Sequence, residues 1–149
     1  MALDVGGRRT GVAVSDETWL IATPVGAVPR DRHDRAAFRR LADEWSVGRL
    51  VVGLPTGMSG REGPQAAEVR AYADPLAAAL ALPLDYWDER LTTTIAEKSL
   101  IAAGARRAER RERIDAVAAA VILQGYLDAA RARRRRERPR LVEGDDAIG

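Results

Sequence analysis

Cysteine is missing from this chain altogether. Disulfides and thiolate metal sites are therefore excluded, and any metal the protein uses has to be a hard cation held by oxygen. Lysine is almost missing too: of 24 basic residues only Lys98 is Lys, and the rest are Arg. Long apolar runs are absent. The longest, residues 116–123, falls far short of the ~20 residues that span a bilayer. No basic-then-apolar leader opens the sequence. A cytoplasmic protein with no membrane partner is expected. Aromatic residues make up only 5%, and Trp19, Trp45 and Trp87 lie too far apart to read as a stacking platform; core or rim positions are expected for them.

What is present suits one domain. A chain of 149 residues buries about two-thirds of its unfolded surface, enough for a single core. The net charge is +2, but its distribution is uneven. Arg gathers at 106–113 and again at 131–140, where seven of ten residues are Arg. Genomic base composition accounts for Arg over Lys, and a solvated helix end accounts for either block alone. Two blocks beside an acidic site point toward a polyanionic partner.

Hydrophobic periodicity gives the element order. Residues 2–5 read as a short strand, Gly6-Gly7 as a turn and residues 10–15 as the returning strand of a hairpin. Residues 19–25 read as a third strand. From Asp34 the period becomes helical, with Phe38, Leu41 and Trp45 on the apolar face. Residues 49–54 form an apolar run suited to a strand covered on both faces. Residues 55–64 read as a loop. Ala66, Val69, Ala73, Leu76 and Leu80 mark a helix that Pro75 is expected to kink or shorten. Residues 84–87 make the last strand, 92–103 a helix and 114–132 another. A disordered tail is expected from 137 onward. The order βββαβαβα plus a C-terminal helix predicts an α/β fold, a five-stranded mixed sheet with helices on both faces. Sites in such sheets gather at the carboxyl ends of neighbouring parallel strands.

Three carboxylates fall at element ends in apolar or glycine-rich surroundings: Asp4, Glu89 and Asp115. Such groups are costly to desolvate unless a cation sits among them, and hard divalent ions prefer oxygen ligands. If residues after 113 are helical, Asp115 shares its face with Ala118, Ala119 and Ile122 and points toward the core. Each has a plainer reading. Asp4 serves as a turn cap, Glu89 as half of a surface ion pair with Arg90, and Asp115 as a first-turn carboxylate favoured by the helix dipole. Gly6, Arg8 and Arg9 follow directly on Asp4 and would turn backbone N–H groups and guanidinium forks toward the same region. Arg90 and Arg111 are further candidates for phosphate. Thr92 or Thr93 caps the next helix, and His33 is read as a surface residue.

Taken together these segments resemble the YqgF family, also called RuvX. Leu3-Asp4-Val5-Gly6 with Arg9, Gly11 and residues 12–16 is similar to its opening motif. Val51-Val52-Gly53-Leu54-Pro55 with Gly60 and Gly63 is similar to the second block, and residues 88–93 to the third. Ile114-Asp115 with Ala118-Ala119, Ile122-Leu123-Gln124 and Leu127 is similar to the fourth. The resemblance covers residues 2–128. Gly7 departs from it, standing where a small hydroxylated residue is frequent, and Asp4 lies unusually near the start.

The resemblance implies a ribonuclease H-like fold and a nuclease that uses Mg²⁺ or Mn²⁺, in all two ions, with Asp4, Glu89 and Asp115 as catalytic metal ligands. Its implied partner is nucleic acid, either the 5′ end of precursor 16S ribosomal RNA, which is favoured, or branched DNA. Gly6, Arg8, Arg9, Arg90 and Arg111 would contact phosphate. A non-catalytic nucleic-acid-binding scaffold is the alternative. The sugar kinase and heat-shock ATPase superfamily shares the Asp-x-Gly opening, but it needs two lobes that 149 residues do not supply. A monomer or weak homodimer is expected, since no apolar surface stripe demands a partner copy.

Overall fold

The structure, a computed structural model, describes residues 1–56, 61–89 and 107–138. Its strands are β1 (Ala2–Val5), β2 (Arg9–Ser15), β3 (Ala22–Pro29), β4 (Leu50–Leu54) and β5 (Leu84–Asp88). They form one sheet in the order β3-β2-β1-β4-β5. β1 pairs antiparallel with β2, and β2 with β3; β1 and β4 run parallel, as do β4 and β5. The expected five-stranded mixed sheet is therefore present. The helix expected over 92–103 and the tail from 139 lie outside the described residues.

Side-chain alternation divides the sheet into two unlike faces. Leu3, Val12, Val14, Leu50 and Val52 point one way and form a core with Phe38 of α1 (Asp34–Glu44) and Ala66, Val69, Ala73 and Leu76 of α2 (Pro64–Leu80). Ala2, Ala13 and Val51 point the other way, onto Ala119, Ile122, Leu123 and Leu127 of α3 (Arg107–Glu137). Large side chains fill the first face. Small ones line the second, so α3 comes down close upon the strands. No helix of the described residues is long and apolar enough to cross a membrane.

Three boundaries differ from expectation, each for a local reason. β3 starts three residues later than residue 19 and runs on to Pro29, because residues 16–21 make a turn. The Asp16 carboxylate accepts from Thr18 Oγ1 at 2.6 Å and from the Leu20 backbone N–H at 2.8 Å, and Trp19 takes a left-handed φ of 59°. β3 is an edge strand, so Pro24 and Pro29 are tolerated there. α2 runs unbroken through Pro75. Pro75 is exposed, so the Ala71 carbonyl that loses its partner faces water and nothing buried goes unpaired. α3 begins seven residues before 114 and ends five after 132; its arginine-rich last turns continue the helix where charge alone suggested an end.

Candidate active site

The acids meet at the carboxyl ends of the parallel strands. Asp4, one residue past Leu3, shares the parity of Ala2 and so faces α3. Its antiparallel partner across the β1–β2 ladder is Gly11. Leu3 is in register with Val52, which sets Asp4 beside Gly53 on the neighbouring strand. Glu89 follows directly on β5, whose Trp87 pairs with Gly53. Asp115 enters the same face from α3.

Glycine makes this approach possible at two points. A Cβ at Gly11 would stand 1.9 Å from the Asp115 backbone oxygen. One at Gly53 would stand 2.9 Å from Glu89 Oε1 and 2.6 Å from Ile122 Cδ1. The sheet is therefore bare where the two acids come down on it. Gly11 and Gly53 lie inside strands, as expected from the sequence, but their part in the site was not read from it. A glycine in the middle of a strand signals close approach of another group, and that was the available clue.

The carboxylates are not equivalent. Glu89 shares a hydrogen bond with Asp4. Its pKa is raised, first because burial penalises the charged form; the bond with Asp4 pulls it back, and the charge of Asp88 pushes it up again. Asp88 itself accepts from Thr56 Oγ1 at 2.6 Å. The Asp115 carboxylate is engaged by Nε of Arg9, with about a third of the Arg9 side chain and a quarter of the Asp115 side chain exposed. Among the described residues no group of three or more His, Cys, Asp or Glu is spaced to hold a metal ion as it stands, and the Asp115 carboxylate is turned to the Arg9 guanidinium. The donor set nevertheless fits a hard divalent cation. It consists of carboxylate oxygens, two of them in contact and one held by a positive group.

The other candidates fall in varied places. Gly6 closes the β1–β2 hairpin: its N–H donates to the Arg9 carbonyl at 3.0 Å and its carbonyl accepts from Arg30 Nη1 at 2.9 Å. Arg8 is exposed on that hairpin, and Arg111 is exposed one turn before Asp115. Arg90 lies outside the described residues. His33 is a surface residue as expected, and Trp87 packs edge-on against Tyr126 at 6.1 Å. A cavity of about 680 Å³, lined in part by Met1, Ser15, Trp45 and Arg49, opens at the opposite end of the sheet and includes none of Asp4, Glu89 and Asp115.

Comparison with known proteins gives this geometry a context. A family model described as "RuvX: Holliday junction resolvase" matches residues 1–129. A protein of Chloroflexus aggregans named "Putative pre-16S rRNA nuclease" is 48% identical over 133 residues, 88% of this chain and 94% of that one. A Myxococcus xanthus protein of the same name is 47% identical, with 88% of each chain covered. Among solved structures, T. thermophilus RuvC in complex with a Holliday junction substrate superposes with a TM-score of 0.51 at 14% identity, over 87% of this chain and 93% of that one. That likeness bears on the fold, which is ribonuclease H-like.

Proposed function

Since the chain belongs to the RuvX family of nucleases, we propose that it is a divalent-metal-dependent endonuclease whose substrate is the 5′ end of precursor 16S ribosomal RNA. The observation that carries the reading is the contact of Glu89 with Asp4 beneath a helix that brings in Asp115 over Gly11. Two carboxyls in contact repel when both ionise, and a site that keeps them together is suited to a cation. The relatives' shared name supports the ribosomal substrate. In this reading residues 1–136 form the nuclease domain, working in the cytoplasm.

Asp4, Glu89 and Asp115 would hold Mg²⁺ or Mn²⁺, in all two ions. When bound, such ions lower the pKa of an attacking water and offset charge on the leaving oxygen. The remaining work falls to the chain. Arg9 holds Asp115 in place and, once released from it, offers its guanidinium to a phosphate oxygen. Thr56 fixes Asp88 beside Glu89, keeping the carboxyl end of β5 in one position. Gly11 and Gly53, bare of side chains, let α3 and Glu89 come down on the sheet, which brings Asp115 and Glu89 to the same face as Asp4.

The test is cleavage of labelled precursor 16S RNA and of a four-way DNA junction, with Mn²⁺ or with chelator. The expected result is metal-dependent cutting of the RNA, lost in Asp4→Asn and in Glu89→Gln. Cutting of the junction alone would replace the substrate reading with the resolvase one. Unimpaired cutting by Asp4→Asn would remove the site itself.

A further inference from the structure

The last two turns of α3 make up a second charged surface, far from the acids. Residues 131–138 contain six arginines and one acid, Glu137, and every one from 132 to 138 is exposed. Arg131 is paired with Asp128. Arg133, Arg135, Arg136 and Arg138 form no ion pair with any described residue. Six cations within two helical turns repel one another, and the protein supplies little to offset them.

Direction along the fold places this surface. β2 runs antiparallel to β1, so the turn 16–21 stands at the end of the sheet opposite the acids. The Arg134 guanidinium lies 5.2 Å from the centre of the Trp19 ring in that turn. Gln124 ties the turn to α3, donating to the Leu20 carbonyl at 2.9 Å and accepting from the Ala22 N–H at 3.0 Å. α3 thus starts over the active site and ends at the far edge. At ~1.5 Å per residue, Arg133 to Arg136 lie about 27–32 Å from Asp115. Trp19 and Gln124 keep this end of the helix in one place, so the charge has a fixed position relative to the acids.

We infer that the arginine cluster around the C-terminal end of α3, from Arg133 to Arg138, is an exosite that grips the phosphodiester backbone of a nucleic-acid arm flanking the cleavage point. The inference rests on the nuclease reading for its geometry and on charge complementarity for its partner. Guanidinium groups arrayed around a helix end contact phosphates without reading bases. Such a contact governs affinity and how far the substrate must extend, and leaves the chemical step alone. At ~3.4 Å per base pair, reaching the cluster takes about eight to nine base pairs beyond the cut.

The experiment compares the full chain with the triple variant Arg133→Gln, Arg135→Gln, Arg136→Gln, whose melting temperature serves as the folding control. Substrates carry a flanking duplex of either 4 or 16 base pairs, each in RNA and in DNA. The variant should raise KM for the long-armed substrate about tenfold or more, leave kcat unchanged, and leave the short-armed substrate unaffected. Its salt dependence of binding to the long arm should weaken by about two to three in log–log slope, as expected for three lost phosphate contacts. A length-dependent loss in one polymer alone carries the inference and names that polymer. Equal losses on long and short arms, or an unchanged salt slope, would overturn it. If the wild type cuts nothing, the nuclease reading fails, and binding of the uncut long and short duplexes still decides the role of the cluster.

Discussion

The backbone oxygen of Asp115 occupies the space where a side chain at Gly11 would project, with only 1.9 Å between it and a Cβ there. The clash sets a Cβ, fixed to its own backbone, against the backbone of Asp115, so no rotamer change relieves it. Gly11→Ala should lift α3 from the sheet and destabilise the protein by about 1–3 kcal/mol, the range for overpacking a filled core. Gly7→Ala, with nothing within 4 Å of its Cβ, should stay within about 0.5 kcal/mol. Thermal melts of the two variants check this, and equal melting temperatures would contradict it.

The nearest atoms that a Cβ at Gly53 meets belong to side chains, Ile122 Cδ1 and Glu89 Oε1 and Cγ, and not to backbone. The stability cost of Gly53→Ala should therefore be small, below about 1 kcal/mol, because both side chains can give way. Activity should suffer out of proportion, by tenfold or more in kcat, since the displaced group is a carboxylate that must hold its place. Paired denaturation and kinetic measurements separate the two effects.

Glu89 has a pKa raised above its ordinary value, mainly by burial. The unfolded chain then binds fewer protons at this position than the native one over that interval. Without metal, the wild type should lose stability relative to Glu89→Gln as pH rises from about 4 through the raised pKa. Urea unfolding at several pH values in chelator tests the sign; a stability difference that grows with pH in favour of the wild type would reverse it.

Metal should act in the opposite sense. At pH 7, Mg²⁺ or Mn²⁺ at a hundred times its dissociation constant should stabilise the wild type by about 2.7 kcal/mol through mass action. Asp4→Asn should show little of this gain. A melting shift of the same size in both proteins would place the bound ion elsewhere.

Arg9 neutralises Asp115 within a half-buried pair. Arg9→Gln leaves that carboxylate without its cation and should cost about 1.5–3 kcal/mol. Arg9→Lys should recover part of this and not all, since an ammonium does not reproduce the guanidinium's planar fork. Guanidinium unfolding curves of the three proteins give the ranking.

Much of this was legible in the sequence, for identifiable reasons. Alternation in Val12-Ala13-Val14 and Leu50-Val51-Val52 marks strands buried on both sides, and the helical spacing of Ala66, Val69, Ala73 and Leu76 marks α2. The identities of Asp4, Glu89 and Asp115 as outlying carboxylates could be read because charge in apolar surroundings is rare. The turn at 16–21 could not. Trp19-Leu20-Ile21 has strand composition, and three hydrogen bonds accepted by the Asp16 carboxylate, with two more through its backbone, hold it in a turn. Nor could the engagement of Asp115 by Arg9 be read, because it joins positions 106 apart and no local pattern encodes it.

The contrast between the two faces of the sheet has a consequence for how this protein tolerates change. Behind α1 and α2, bulk is held by Leu3, Val12, Leu50, Val52 and Phe38, and one aliphatic group can trade volume with another. Under α3 the spacing is set by Ala2, Gly11 and Ala13, and a Cβ on Gly125 of the helix would stand 3.2 Å from the Trp87 ring, so there is little volume to trade. A library of random substitutions selected for folding should recover many alternatives on the first face and almost none on the second. Substitution should therefore be tolerated one-sidedly, and the intolerant side is the one on which the acids stand.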